Sequence, residues 1–191
     1  MSTGASTRVD VIRTHLELRA RDALRPAPAP RGMHTALRRM RPISASVYRA
    51  LYALVGERWY WRDRLVWSEQ ELNAYLAAPG VHVWRLDVGD QIAGYFELQH
   101  HAGSAVEIMY FGLVTAFMGR GLGGWLLTRA AEEAFALGAG RVILNTCTLD
   151  APQALPNYLA RGFTIVREER YLVDLPDRPD APARALSNDG D

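Results

Sequence analysis

The sequence predicts one mixed α/β domain (α+β in the broad sense) whose central sheet is mostly antiparallel, with one parallel strand pair and flanking helices. Three observations carry this. Between His82 and Val114, strand-like runs are separated by Gly89-Asp90 and by a turn around Gly103, the pattern of an antiparallel meander. The run Phe117-Met118-Gly119-Arg120-Gly121-Leu122-Gly123-Gly124 then breaks the third strand and opens a helix. The β-branched and apolar run from Arg141 to Leu149 follows that helix at once, so strand, helix and strand form one crossover that sets its two strands parallel.

The other elements follow in order. Val11, Ile12, Leu16 and Leu18 suggest a strand between Val9 and Arg21, closed by the Pro-Ala-Pro-Ala-Pro linker at 26–30. Ser44 or Ser46 is placed to cap a helix in which Val47, Leu51, Leu54 and Val55 fall at helical spacing. Ser68 with Glu71 three residues on forms a capping box for a second, short helix. After the glycine run, Leu122, Leu126, Ala130 and Ala134, with Leu127, Ala131 and Phe135 beside them, make an apolar helix face that Gly138 and Gly140 stop. A short helix or turn is expected over 152–161 and a last strand over 163–175. Residues 1–7 and 176–191 are rich in Ser, Thr, Pro, Asp and Ala and are expected to be disordered, leaving one domain over 8–175.

With 191 residues and a formal net charge of +1, the chain is sized for one domain and carries no field that would draw nucleic acid or an anionic membrane. All 22 residues in its Lys+Arg count are arginine, which removes Schiff-base chemistry and a Walker loop, both of which need lysine. Cys147 stands alone, so no internal disulfide forms and a reducing compartment is expected. No apolar run reaches membrane-spanning length and residues 1–7 lack the apolar core of a signal peptide; the expected location is the cytoplasm. His100-His101 is no metal pair, because adjacent strand residues point to opposite faces, and no metal is expected.

The glycine run is the feature most specific to a ligand. Glycines allow φ > 0 and close backbone approach, and the free N–H groups of a helix N-terminus favour an anion. Gly119, Gly121 and Gly124 spell G-x-G-x-x-G, the fingerprint of a dinucleotide-binding unit and of a nicotinamide-dependent oxidoreductase. That fold needs further βα repeats after the loop and an acidic residue about 20 positions on, where Arg141 leads into Val142-Ile143-Leu144.

Met118-Gly119-Arg120-Gly121-Leu122-Gly123, with Tyr158 four residues before Gly162-Phe163, instead resembles the GNAT superfamily of acyl-CoA-dependent N-acyltransferases. The likeness runs from about Val81 to Phe163. Met118 departs from the family's Gln or Arg, and a final family strand beyond 171–175 has no evident counterpart. The resemblance implies that acetyl-CoA is the cofactor and that main-chain groups of Met118, Gly119, Arg120, Gly121, Leu122, Gly123 and Gly124 take its diphosphate. It also implies that Phe111 and Leu113 align the thioester and pantetheine arm as an added strand, and that Tyr158 protonates the departing thiolate. Arg120 adds a cation beside the phosphates.

Glu107 is the candidate general base. It precedes Gly121 by the spacing of the catalytic glutamate in the histone-acetylating branch, and period-two alternation puts it on a face with Met109, Phe111 and Leu113. A carboxylate on an apolar stripe loses solvation and gains proton affinity. Glu97, on a Tyr95-Glu97-Gln99 face, is its rival. Trp59-Tyr60-Trp61 and Trp67 lie where the family builds its acceptor wall, with core packing expected for at least two of them. The functional expectation is transfer of an acetyl or short acyl group to a primary amine of a small molecule or peptide, by a monomer or homodimer. A non-catalytic acyl-CoA sensor is the alternative.

Overall fold

The computed structural model describes residues 6–176; residues 1–5 and 177–191, most of the two tails expected to be disordered, lie outside the described part. In chain order the elements are β1 (Ser6–Leu18), β2 (Thr35–Arg39), α1 (Ala45–Gly56), α2 (Glu69–Ala77), β3 (Val81–Val88), β4 (Gln91–His100), β5 (Ala105–Leu113), α3 (Leu122–Ala136), β6 (Arg141–Cys147), α4 (Ala154–Ala160) and β7 (Thr164–Pro176). They build a 7-stranded sheet in the order β2-β3-β4-β5-β6-β1-β7. Every pairing is antiparallel except β5 with β6. The expected meander and crossover are both present.

Two layers of helix cover this sheet. α3 and α4 pack on one face, where Leu122, Leu126, Leu127, Ala130, Ala131 and Ala134 are fully buried against Val106, Ile108, Leu144 and Phe96. This is the face the 3.6-residue period marks out. α1 and α2 pack on the other, where Tyr48, Leu51, Tyr52, Val55 and Leu72 meet Val83 and Tyr95. Ser44 caps α1 by accepting from Val47 N at 3.3 Å. The rotation of that helix differs from the expected one: Val47 and Leu54 are exposed at 42% and 48%, because Tyr48 and Tyr52 take the sheet-facing row. The capping box at Ser68 and Glu71 forms as the spacing predicts.

β2 is a short edge strand that its composition hides, since Thr35–Arg39 carries two arginines and only half-buried apolar residues. β1 fills the gap between β6 and β7, pairing antiparallel with both. The first strand in sequence thus occupies the sheet interior.

Because β1 is sixth in the sheet and β2 first, the connecting segment crosses the α3 and α4 face. It is pinned by Arg25 N donating to Arg161 O at 3.0 Å and Ala27 N donating to Thr128 Oγ1 at 2.9 Å. It also presses on Gly162, whose φ is +96° and where a Cβ would lie 2.1 Å from the Ala23 carbonyl oxygen. Both strain and overlap oppose any side chain there. Gly162→Ala is therefore expected to cost about 3 kcal/mol of folding stability, read as a fall in the urea midpoint at unchanged slope. A loss under about 0.5 kcal/mol would contradict the packing described.

Candidate active site

β5 and β6 pair only over Ala105–Glu107 with Arg141–Ile143, and beyond Glu107 they diverge. On its other side β5 stays paired with β4 up to Leu113. The β6-facing edge of Ile108–Leu113 is therefore an open strand edge, able to receive an extended, amide-bearing ligand as an extra strand.

The strand ends in a 3-10 turn, Thr115–Phe117, anchored by the buried Phe117 ring. Gly119 and Gly121 follow at φ +73° and +79°, and α3 begins at Leu122 with no side-chain cap and no acid in its first turn. Those N–H groups point outward without a partner from the helix itself, which is the arrangement an anion fills. Met118 and Leu122 turn their side chains to the core, leaving the main chain as the presented surface. The Arg120 guanidinium lies over the Phe117 ring at 5.4 Å. Asn157 Nδ2 ties α4 to the loop by donating to Gly123 O at 3.3 Å.

Tyr158 stands on α4 against the open edge, 7% exposed, with ring centroids 6.2 Å from both Phe111 and Phe163. Burial, with the charge of Asp150 as second cause, raises its phenol above the ordinary range, so it holds its proton at neutral pH.

The expected face of Glu107 needs correction. Glu97 pairs with Tyr110 but Leu98 with Ile108, so Met109 is the extra residue of a β-bulge. The bulge reverses the alternation: Val106, Ile108, Phe111 and Leu113 face the α3 core, whereas Glu107, Tyr110 and Gly112 face α1 and α2. Glu107 thus shares a face with Gln99 and Glu97, not with Phe111 and Leu113. It is not on an apolar stripe. His101 Nε2 lies 2.7 Å from Glu107 Oε2 and Asn145 Nδ2 donates to Oε1 at 3.4 Å, with the Glu107 side chain 17% exposed. The neighbouring His100 points away, toward His82 at 5.6 Å between ring centroids.

Glu97 is fully buried in a cage that sequence patterning does not reveal. The hydroxyls of Tyr48 and Tyr75 donate to it, one to each oxygen, and Arg64 Nη2 lies 3.6 Å away. The Arg64 guanidinium is itself packed over Trp67 at 4.1 Å and Tyr75 at 4.4 Å. Beside this cage Trp61, Tyr52 and Tyr110 form an aromatic wall with centroids 5.0–5.5 Å apart, and Trp67 meets Tyr75 edge-on at 5.3 Å. Within the 59–67 segment Trp61 and Trp67 pack against the core, in keeping with the packing expected of at least two of its aromatics, while the Arg58 guanidinium lies over Trp59. The only sequence signal for Arg64 was its place in a tryptophan-rich segment.

Residues 48–163 match the acetyltransferase (GNAT) family model. The chain belongs to the GNAT acetyltransferase family. A mycothiol acetyltransferase of Corynebacterium glutamicum is 29% identical over 113 residues, 59% of this chain and 37% of that protein. The chain therefore matches little more than a third of that relative's length. Among solved structures, a GCN5-related N-acetyltransferase from Kribbella flavida superposes with a TM-score of 0.60 at 17% identity, covering 90% of this chain and 61% of its own. An aminoglycoside N-acetyltransferase in complex with CoA gives 0.54 at 16% identity, covering 73% and 95%. These structural likenesses establish the shared GNAT fold. Among the described residues, no helix is long and apolar enough to cross a membrane.

The Glu97 cage has a pH signature. Burial pushes the Glu97 carboxyl above its ordinary 4.5, against the pull of the two tyrosine hydrogen bonds and Arg64. An acid that holds its proton more tightly folded than unfolded costs stability as pH rises above the unfolded value, until the folded value is passed. Wild type is therefore expected to lose stability relative to Glu97→Gln as pH climbs from 4.5, by up to about 1.4 kcal/mol per unit. Urea denaturation at stepped pH measures this, and a pH-independent difference would contradict it.

Proposed function

We propose that the chain transfers an acetyl or short acyl group from acetyl-CoA to a primary amine by direct attack, with Glu107 as general base and Tyr158 as general acid. The observation that carries this is the fork in the sheet. Its last paired residue is Glu107, its open edge is Phe111–Leu113, its far end is the glycine loop, and Tyr158 stands beside it.

The residues present fit the cofactor the family uses. Main-chain N–H groups from Met118 to Gly124 suit a diphosphate, and the free edge of Phe111 and Leu113 suits the amide-bearing pantetheine arm. When bound, acetyl-CoA supplies an activated thioester and a thiolate leaving group.

The chain does the rest. Glu107 accepts a proton from the incoming amine on the α1 and α2 face, and His101 at 2.7 Å offers that proton an exit toward water. Tyr158, its phenol kept protonated by burial, donates to the departing sulfur from the α3 and α4 side. Base and acid thus approach the fork from opposite faces of the sheet. Glu97 is the less suitable base, because both its oxygens already accept hydrogen bonds inside a closed cage. The aromatic wall of Trp61 and Tyr110 borders the acceptor side. The names of the relatives, a mycothiol acetyltransferase and an aminoglycoside N-acetyltransferase, favour a small-molecule amine over a peptide.

Release of free thiol from acetyl-CoA across an amine panel tests the reading. Glu107→Gln is expected to lower kcat about 100-fold or more with the CoA dissociation constant unchanged, and Tyr158→Phe to lower it about 10- to 100-fold. Full turnover in either variant removes that residue from its role. CoA binding without thiol release for any amine would favour a sensor instead.

A further inference from the structure

We propose that Arg161, clamped against the first turn of α3 by the segment joining β1 to β2, binds a phosphate of CoA's nucleotide half. The proposal rests on the acyl-CoA reading above. It adds a side chain on α4 and a stretch of chain outside the family-matched residues to the cofactor site.

Three placements support it. The Arg161 guanidinium lies so close to α3 that a Cβ built at Gly124 would meet its Nη1 at 2.7 Å, with Ala27 Cβ at 3.1 Å on the same spot. Glycine at 124 leaves the space that the guanidinium occupies beside the first turn of the helix. The backbone behind the arginine is fixed, since Arg161 O accepts from Arg25 N at 3.0 Å. Thr128 Oγ1 locks the same segment to α3, accepting from Ala27 N and donating to Gly124 O, both at 2.9 Å.

The electrostatics call for an anion. A cation beside a helix N-terminus is placed against the macrodipole, which costs energy unless negative charge joins it. Arg161 makes no ion pair among the described residues, and its Nε is buried without a hydrogen-bond partner there. The first turn of α3 supplies no acid. A phosphate bound by the loop amides satisfies dipole and guanidinium together, and the planar fork of arginine matches phosphate oxygens. Arg120, held over Phe117, brings a second cation to the same loop.

Calorimetric titration of the full chain with CoA and with dephospho-CoA, which lacks the 3′-phosphate, tests this without reading activity. Arg161→Gln is expected to weaken CoA binding about tenfold or more, the equivalent of 1.4 kcal/mol. A loss confined to CoA assigns the contact to the 3′-phosphate, and an equal loss for both ligands assigns it to the diphosphate. Arg161→Met, which keeps most of the packed stem, must show the same loss if charge and not packing is responsible. Wild-type affinity in both variants would overturn the proposal while leaving the acyltransferase reading intact. Absence of any CoA binding by the wild-type chain would overturn both.

Discussion

The structure turns on the divergence of β5 from β6 just past Glu107. A parallel pair held over so few residues is a weak seam, and one face of it must be left to something other than protein backbone. The neighbouring elements are shaped to keep the fork open. The Met109 bulge adds local twist to β5, and Gly112 lets α1 approach so closely that a Cβ there would meet Val55 Cγ1 at 2.5 Å. Gly94 on β4 makes room for β5 itself, since a Cβ there would lie 2.5 Å from the Gly112 carbonyl oxygen. One strand is thus pulled toward α1 while its former partner stays with β1, and the glycine loop is carried to the mouth of the gap.

The second constraint is the polar cage around Glu97. A carboxyl and a guanidinium taken out of water need compensation: two tyrosine hydroxyls donate to the carboxyl, and Trp67 and Tyr75 face the guanidinium. The members come from α1, α2, β4 and the segment between the helices, so the cage fixes that segment to the sheet. The aromatic wall of Trp61, Tyr52 and Tyr110 is positioned through it. Glu97 thereby fixes the position of that wall, and in the proposed reaction the proton transfer falls to Glu107, whose side chain lies beside His101.

Much of this was legible in the residues. The loop with Gly119 and Gly121, the meander and the single crossover read directly, because each depends on local turn chemistry or hydrophobic period, whereas Tyr158 before Gly162-Phe163 stood out only through the family resemblance. The face of Glu107 did not, since a one-residue bulge leaves no mark in an apolar run yet inverts every later side chain. β2 escaped notice because an arginine-rich edge strand lacks the β-branched pattern of a buried one. The position of β1 between β6 and β7 is a long-range pairing that no local pattern encodes. Arg64 and Arg161 were unreadable for the same reason: their partners are distant in sequence, and arginine is the common residue of the chain's basic half.

Hydrogen exchange of the full chain with and without CoA measures the central claim most directly, since it reports on the two backbone segments that should hold the cofactor. The account predicts slowed exchange at the amides of the glycine loop and first turn of α3, and along the β6-facing edge of β5. Unchanged exchange at both segments with CoA in excess would contradict it.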